Sequence, residues 1–394
     1  MRIAFIYPGD VSGADLNHVP GSGRLIDLAS VAAAGGADVM VIGLTDGPTR
    51  DIWLRAGLTA RVFNVRTSGA TSVQRFLRSG SDLLPEMGTY LLSRRIDALF
   101  IYGTSLKHTK PLHDFGRRHG ITLIAGVNEW GHKTGQSLVS YTLLRMGIGY
   151  VARRYDKVIA ISELMMDFFA RFPRLQLLKI PSIFDISELP DVEPSHWSRD
   201  GLRGKVVLAY AGSVGHGKDA INNVIRGLSL LTESERDHFV FWLAGSSRDS
   251  IVASLGDDAE ETLVRTQHIL DFKGFLPRAE VQKLLSNADY TVLLRPDEPY
   301  ANAGFPTKFG ESMVLGVPVI ANLTSDLGHY LHDGVEGYIV DDDSPEAAAA
   351  TLRRVLATHQ YPNGPMRLAA LRTGRGSFDL RAYADDMATF LTAR

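Results

Sequence analysis

Short apolar runs alternate with helix-length amphipathic segments along almost all of this chain, and the alternation stops once, near the middle. In the first half the candidate strands are Arg2–Tyr7, Asp38–Ile42, Ala60–Asn64, Ala98–Ile101, Thr122–Ala125, Lys157–Ile161 and Gln176–Ile180. Helical periodicity fills the gaps over Gly23–Ala34, Leu106–His119, Thr134–Arg154 and Glu163–Arg171, the last with Ser162 as its N-cap. Wholly apolar strands separated by helices imply a parallel sheet covered on both faces. Between Pro181 and Lys205 the pattern fails, and prolines at 181, 190 and 194 in a polar context read as a linker. A second series follows, with strands Val206–Ala211, Val240–Ala244, Ile269–Phe272, Tyr290–Leu294, Val317–Ala321 and Gly337–Val340. Ser344, Pro345 and Glu346 then open a helix running to Thr358. The expectation is an α/β chain of two doubly wound domains facing across a cleft: residues 1–185, a linker 186–204, and residues 205–377.

Composition narrows the function. With 42 Lys and Arg against 44 Asp and Glu in 394 residues, no basic excess points to nucleic acid. The absence of cysteine removes disulfides, thiolate metal sites and cysteine nucleophiles, and fits a reducing compartment. Met1 to Pro8 reads as a buried strand and not as a signal peptide, and no apolar run is long enough to span a bilayer. The expected location is cytoplasmic. The stretch Arg75 to Arg95 mixes leucines and Phe76 with four arginines, which leaves peripheral contact with the inner membrane face open, although an ordinary amphipathic helix explains it as well.

Chemistry concentrates in Ala303 to Asn322, AGFPTKFGESMVLGVPVIAN. Pro306 suits the first position of a helix, Phe309 and Met313 fall on one inward face, and Gly316 is a natural stop. Thr307, Lys308 and Glu311 then cluster in the first turn and a half, with Gly304 and Phe305 in the approach. An open helix N-terminus and a lysine suit a phosphate, and a carboxylate one turn further in can accept two hydrogen bonds from a vicinal diol. Phosphate and diol together describe a nucleoside diphosphate. The second signal is Tyr210 to Asp219, YAGSVGHGKD, where Gly212, Ser213, Gly215 and Gly217 let backbone N–H groups approach phosphate and Lys218 adds charge. Read literally it matches G-x-x-x-x-G-K, but Asp219 stands where a P-loop needs Ser or Thr for Mg²⁺. Arg295, at the end of a strand, belongs near the same site, or else pairs with Asp297 or Glu298. In the first half, Asn128-Glu129-Trp130 with His132 follows a strand, and Gly21-Ser22-Gly23 precedes a helix with His18 and Arg24 nearby.

These stretches resemble the donor site of retaining glycosyltransferases of the GT-B fold, family 4 of the glycosyltransferases in particular. Glu311 with ESMVLGVPVIA matches the second Glu of that family's motif, while Ala303 stands where the first Glu would fall. The resemblance implies donor contacts from Gly23, Gly212, Ser213, Gly215, Gly217, Leu276, Arg295, Gly304, Phe305, Thr307 and Glu311. It implies catalytic roles for Lys218, Lys308 and Glu129, and an acceptor side of Trp130, His132 and His18. It also implies a C-terminal helix, 378–394, packed on the N-terminal domain, no essential metal or other cofactor, and a nucleotide sugar, UDP-linked as in most of the family, as donor to a hydroxyl acceptor. A GT-B nucleotide-sugar epimerase, a P-loop-like nucleotidase and a non-catalytic nucleotide-sugar-binding protein stay open as rivals.

Overall fold

The computed structural model describes residues 1–7, 20–45, 49–54, 57–64, 84–131, 138–189, 202, 204–214, 218–359 and 364–393. They form two compact units, one of Met1–Ile183 with Leu380–Arg394, the other of Phe184–Asp379.

The first unit is built on an eight-stranded sheet in the order β3-β4-β2-β1-β5-β6-β7-β8. Its strands are β1 Arg2–Ile6, β2 Asp38–Thr45, β3 Arg50–Trp53, β4 Thr59–Asn64, β5 Ala98–Tyr102, β6 Thr122–Val127, β7 Lys157–Ala160 and β8 Gln176–Lys179. Every pairing is parallel except β3 with β4. That edge strand escaped the sequence pattern because Arg-Asp-Ile-Trp is short and half solvated, with Trp53 83% exposed. Strands β1 and β5 are apolar throughout their buried residues, so helices pack on the sheet and Phe5 meets Phe100 at its centre, rings 4.7 Å apart. The helix expected from Gly23 begins at Pro20, so Gly23 lies in its first turn and not in a loop before it. Of the amphipathic stretch 75–95, the structure describes a helix Leu84–Ser93. Among the described residues no helix is long and apolar enough to cross a membrane.

The chain's last segment joins this unit through a buried cation. Lys157 Nζ donates to the carbonyls of Phe390, Leu391 and Ala393, which are the unsatisfied acceptors at the end of the helix Ala384–Thr392. A cation there also meets the negative end of the helix dipole. Where the sequence suggested one helix over 378–394, a short 3₁₀ turn, Leu380–Tyr383, precedes the helix proper.

The second unit holds a wholly parallel six-stranded sheet, β11-β10-β9-β12-β13-β14. The strands are β9 Val206–Ala211, β10 Phe239–Ala244, β11 Leu270–Gly274, β12 Tyr290–Leu293, β13 Val319–Asn322 and β14 Gly337–Val340. The order runs outward one way from β9 through β10 to β11, then restarts beside β9 with β12, which makes the β9–β12 junction a topological switch point. The helix Thr307–Val314 starts one residue later than expected, with Pro306 at its N-cap position, φ −73° and ψ 109°. Its inner face buries Phe309 and Met313 completely, and Gly316 reverses the chain at φ +67°. A helix not foreseen, Gly364–Phe378, crosses behind it. Gly374 permits that crossing, since a Cβ there would lie 2.2 Å from the backbone carbon of Met313.

Candidate functional site

The switch point of the second unit gathers side chains from β9, the loop after it, the end of β12 and the helix Thr307–Val314. Tyr210, on β9, is almost fully buried, and its hydroxyl donates to Asp219 Oδ2 at 2.9 Å. The same oxygen accepts from Lys308 Nζ at 2.7 Å, while Asp219 Oδ1 lies 3.7 Å from Arg295 Nε. Asp219 and Arg295 side chains are 9% and 8% exposed. Burial alone would raise the Asp219 carboxyl. The charges of Lys308 and Arg295 and the hydrogen bonds from Lys308 and Tyr210 outweigh it and hold the carboxyl below its ordinary range. Arg295 also donates to the carbonyls of Ala301 and Lys218, and pairs with neither Asp297 nor Glu298 as the sequence had allowed. Those two lie beyond the end of β12 with exposed side chains, whereas Arg295 turns inward.

Lys308 is fixed from three sides. Its ammonium is pinned by Asp219, it lies 5.2 Å from the Tyr210 ring centre, and its Cε rests against Gly212. A Cβ at Gly212 would come 2.6 Å from that Cε, so a larger residue there would displace the end of the lysine. Gly212 is held in turn by Ser246, whose hydroxyl donates to its carbonyl at 2.7 Å.

Glu311 is half-buried one turn further along, beside a small cavity shared with Lys308, Ser312 and Thr291. Burial raises its carboxyl, opposed by the charges of Arg278 and Lys308, and no described residue donates a hydrogen bond to it. The helix it sits on has no side-chain cap at Pro306. Thr307, Ser213 and Lys218 are exposed around this end, and Leu276 is half-buried beyond β11. Gly304 ends the short helix Pro299–Ala303. Phe305 needs correction: its ring is buried against Phe309, Tyr330 and Phe378, so the side chain packs and is not free for a ligand. Ala303 is also fully buried. Gly215 and Gly217 lie outside the described residues.

In the first unit the loop after β6 is ordered around Arg24. This buried guanidinium donates to Asn128 Oδ1 at 2.7 Å and to the carbonyls of Pro181 and Ile180, both at 2.6 Å. Glu129, next along, is exposed. Trp130 needs correction as a stacking platform. The Arg145 guanidinium covers one face at 3.6 Å and Phe168 packs edge-on at 4.8 Å. Gly23 is half-buried in its helix, and His18 and His132 lie outside the described residues.

Asp219, Tyr210 and Ser246 were not among the residues singled out from the sequence as ligand-binding. Asp219 had been noted only as a misfit to the P-loop pattern, yet that misfit was the signal. An acid beside a glycine-rich cationic loop needs a partner, and two cations supply it.

Comparison with known proteins follows the same division. Residues 205–358 match the family model of glycosyl transferases group 1. A protein of Salmonella typhimurium named as the colanic acid biosynthesis glycosyltransferase WcaL is 29% identical over 89 residues, 22% of this chain and 21% of that protein's length. The chain thus spans about a fifth of this curated relative. Among solved structures, Anabaena HepE in complex with UDP and glucose is 17% identical with a TM-score of 0.69, covering 100% of this chain and 99% of its own. Sucrose-phosphate synthase of Thermosynechococcus elongatus is 15% identical with a TM-score of 0.70, covering 99% and 98%. WaaG, a glycosyltransferase involved in lipopolysaccharide biosynthesis, is 17% identical with a TM-score of 0.62, covering 100% of both chains. The family match lies within the second unit, and the likeness over the full length shows that the chain has the GT-B fold.

Proposed function

We propose that the chain transfers a sugar from a nucleoside diphosphate, UDP in the first instance, to a hydroxyl acceptor with retention of configuration. The observation that carries the reading is the pairing of a pre-positioned Lys308 with Glu311, a half-buried carboxylate that no described residue satisfies. A carboxylate with no protein donor is open to ligand hydroxyls, and a ribose diol offers two. Lys308, Lys218 and the N-terminus of the helix Thr307–Val314 face the diphosphate, whose charge grows as the glycosidic bond breaks. Each well-aimed donor to such charge contributes about 3 kcal/mol. In this scheme a donor phosphate oxygen takes the acceptor's proton, Glu129 orients the acceptor, and no metal is required. HepE, solved with UDP and with UDP-glucose, supports UDP as the nucleotide. The protein works in the cytoplasm, with peripheral membrane contact if its acceptor is lipid-linked. The P-loop rival is weakened because Asp219 is already engaged by Lys308 and Arg295.

Calorimetric titration separates the two contacts. Glu311→Gln should lose about 10- to 100-fold in UDP affinity and little for 2′,3′-dideoxy-UDP, because only the diol contact is weakened. Lys308→Met should lose a similar factor for UDP and nothing for uridine. Unchanged binding of every ligand by both variants would sink the assignment.

A further inference from the structure

The loop after β6 leads into a feature that donor chemistry does not use. Three aromatic rings of the first unit, Trp130, Phe168 and Phe172, stand in a row with centroids 4.8 and 5.8 Å apart. Each carries its own arginine: Arg145 lies 3.6 Å over Trp130, Arg171 5.9 Å from Phe168, and Arg153 5.5 Å from Phe172. Among the described residues none of the three meets a carboxylate, whereas Arg2, Arg61 and Arg117 elsewhere in the unit each hold an aspartate. Of the two acids on the helix Glu163–Ala170, Glu163 is taken by Lys179 at 2.9 Å, and Asp167 pairs with none of the row. Arg145 goes furthest: its Nη1 is buried and, among the described residues, has no hydrogen-bond partner.

A guanidinium laid on a ring is weakly hydrated and keeps its in-plane N–H donors for a carboxylate or phosphate arriving from the side. Three such pairs along one run of contacting rings suit a chain with repeated anionic groups better than one isolated ion. We propose that this row is a binding strip for an anionic glycan, which makes the acceptor an acidic saccharide. Its role as an acceptor strip rests on the transferase reading, but the binding itself does not. A lipid surface is the weaker occupant. The three rings are half-buried. The exposed Leu143 and Met146 straddle Arg145 in sequence, and Leu143 lies about 200° around the helix from it.

The test uses the full chain with four probes: hexagalacturonate, a phosphorylated mannose oligomer, neutral maltohexaose and phosphatidylglycerol vesicles. UDP is titrated first and then kept saturating, so that the donor site cannot take the anions. Wild type should bind at least one anionic glycan tenfold or more tightly than maltohexaose, and the preferred oligomer identifies carboxylate or phosphate as the group read. Arg145→Gln with Arg171→Gln should lose at least tenfold for that glycan while keeping UDP affinity within twofold and melting temperature within a few degrees. Arg145→Lys with Arg171→Lys should fall between, since charge survives but the stacked fork does not. Equal binding of neutral and anionic glycans overturns the proposal, as does binding unchanged in the glutamine variant. Sedimentation with vesicles that depends on these arginines, without glycan binding, assigns the strip to membrane instead. Failure of UDP to bind, with glycan binding intact, would strike the donor reading and leave the strip standing.

Discussion

At the β9–β12 junction of the second unit a buried arginine, Arg295, faces a buried carboxylate. Near the corresponding end of the first unit's sheet, buried Arg24 is held by one amide oxygen and two backbone carbonyls, all neutral. Both side chains are desolvated, and in both burial works against the charge. The two solutions differ in what they leave over. Neutral acceptors take the Arg24 hydrogen bonds, while the charge of Asp27 acts on it from nearby. In the second unit one carboxylate, Asp219, stands against two cations, which leaves one net positive charge shared between Arg295 and Lys308, and only Lys308 has an exposed end. Charge is thus placed where a diphosphate would arrive and withheld from the interior behind it.

The largest effect should come from breaking the charged solution. Asp219→Ala leaves Arg295 buried without its anion, and breaking one side of a buried pair costs about 3–5 kcal/mol. Because the Asp219 carboxyl lies below its ordinary value of 3.8 in the folded state, its contribution is present at neutral pH. It is lost as pH falls through that lowered value. Urea midpoints of wild type and variant should therefore differ most near pH 7 and begin to converge only as pH falls below the ordinary carboxylate value of 3.8. A gap that persists at low pH would mean that Asp219 acts by shape and not by charge. Arg24→Met should cost about 2–3 kcal/mol by leaving carbonyls unpaired, and that gap should not change from pH 7 to pH 4, since its partners do not titrate. A gap that closed in acid would mean that a carboxylate, Asp27 for one, balances Arg24 in place of the neutral acceptors.

The alternation of apolar runs announced both sheets, because strands covered on two faces leave an unambiguous mark in sequence. The edge strand Arg50–Trp53 left none, being half solvated, and the helix Gly364–Phe378 hides behind a Pro-Asn-Gly-Pro start that reads as a loop. Lys308 and Glu311 were visible because their spacing from Pro306 fixes both on one helical turn. The partnership of Asp219 with Arg295 was not, since residues 76 apart in sequence meet only through sheet order. Trp130 was misjudged for the same reason: its neighbours Arg145 and Phe168 come from two later helices. Local rules place a side chain on an element, and only tertiary packing decides whether its face is free.

The smallest expected effect has the opposite sign. Burial raises the Glu311 carboxyl in the folded state, so folding holds its proton more tightly than the unfolded chain does. The cost therefore appears as pH rises from the ordinary carboxylate range through the raised value, and is fully present once Glu311 is ionised. Glu311→Gln removes it. The ligand-free variant should be more stable than wild type at neutral pH by about 1 kcal/mol, a few degrees in melting temperature, and the difference should shrink in acid. Saturating UDP should reverse the order, because ligand at 100 times its Kd adds about 2.7 kcal/mol to a protein that binds it and correspondingly less to one that binds weakly. Differential scanning fluorimetry at two pH values, with and without UDP, reads all four quantities. A ligand-free variant less stable than wild type would show that Glu311 already has a partner in the resting protein and is not held in readiness for a ribose.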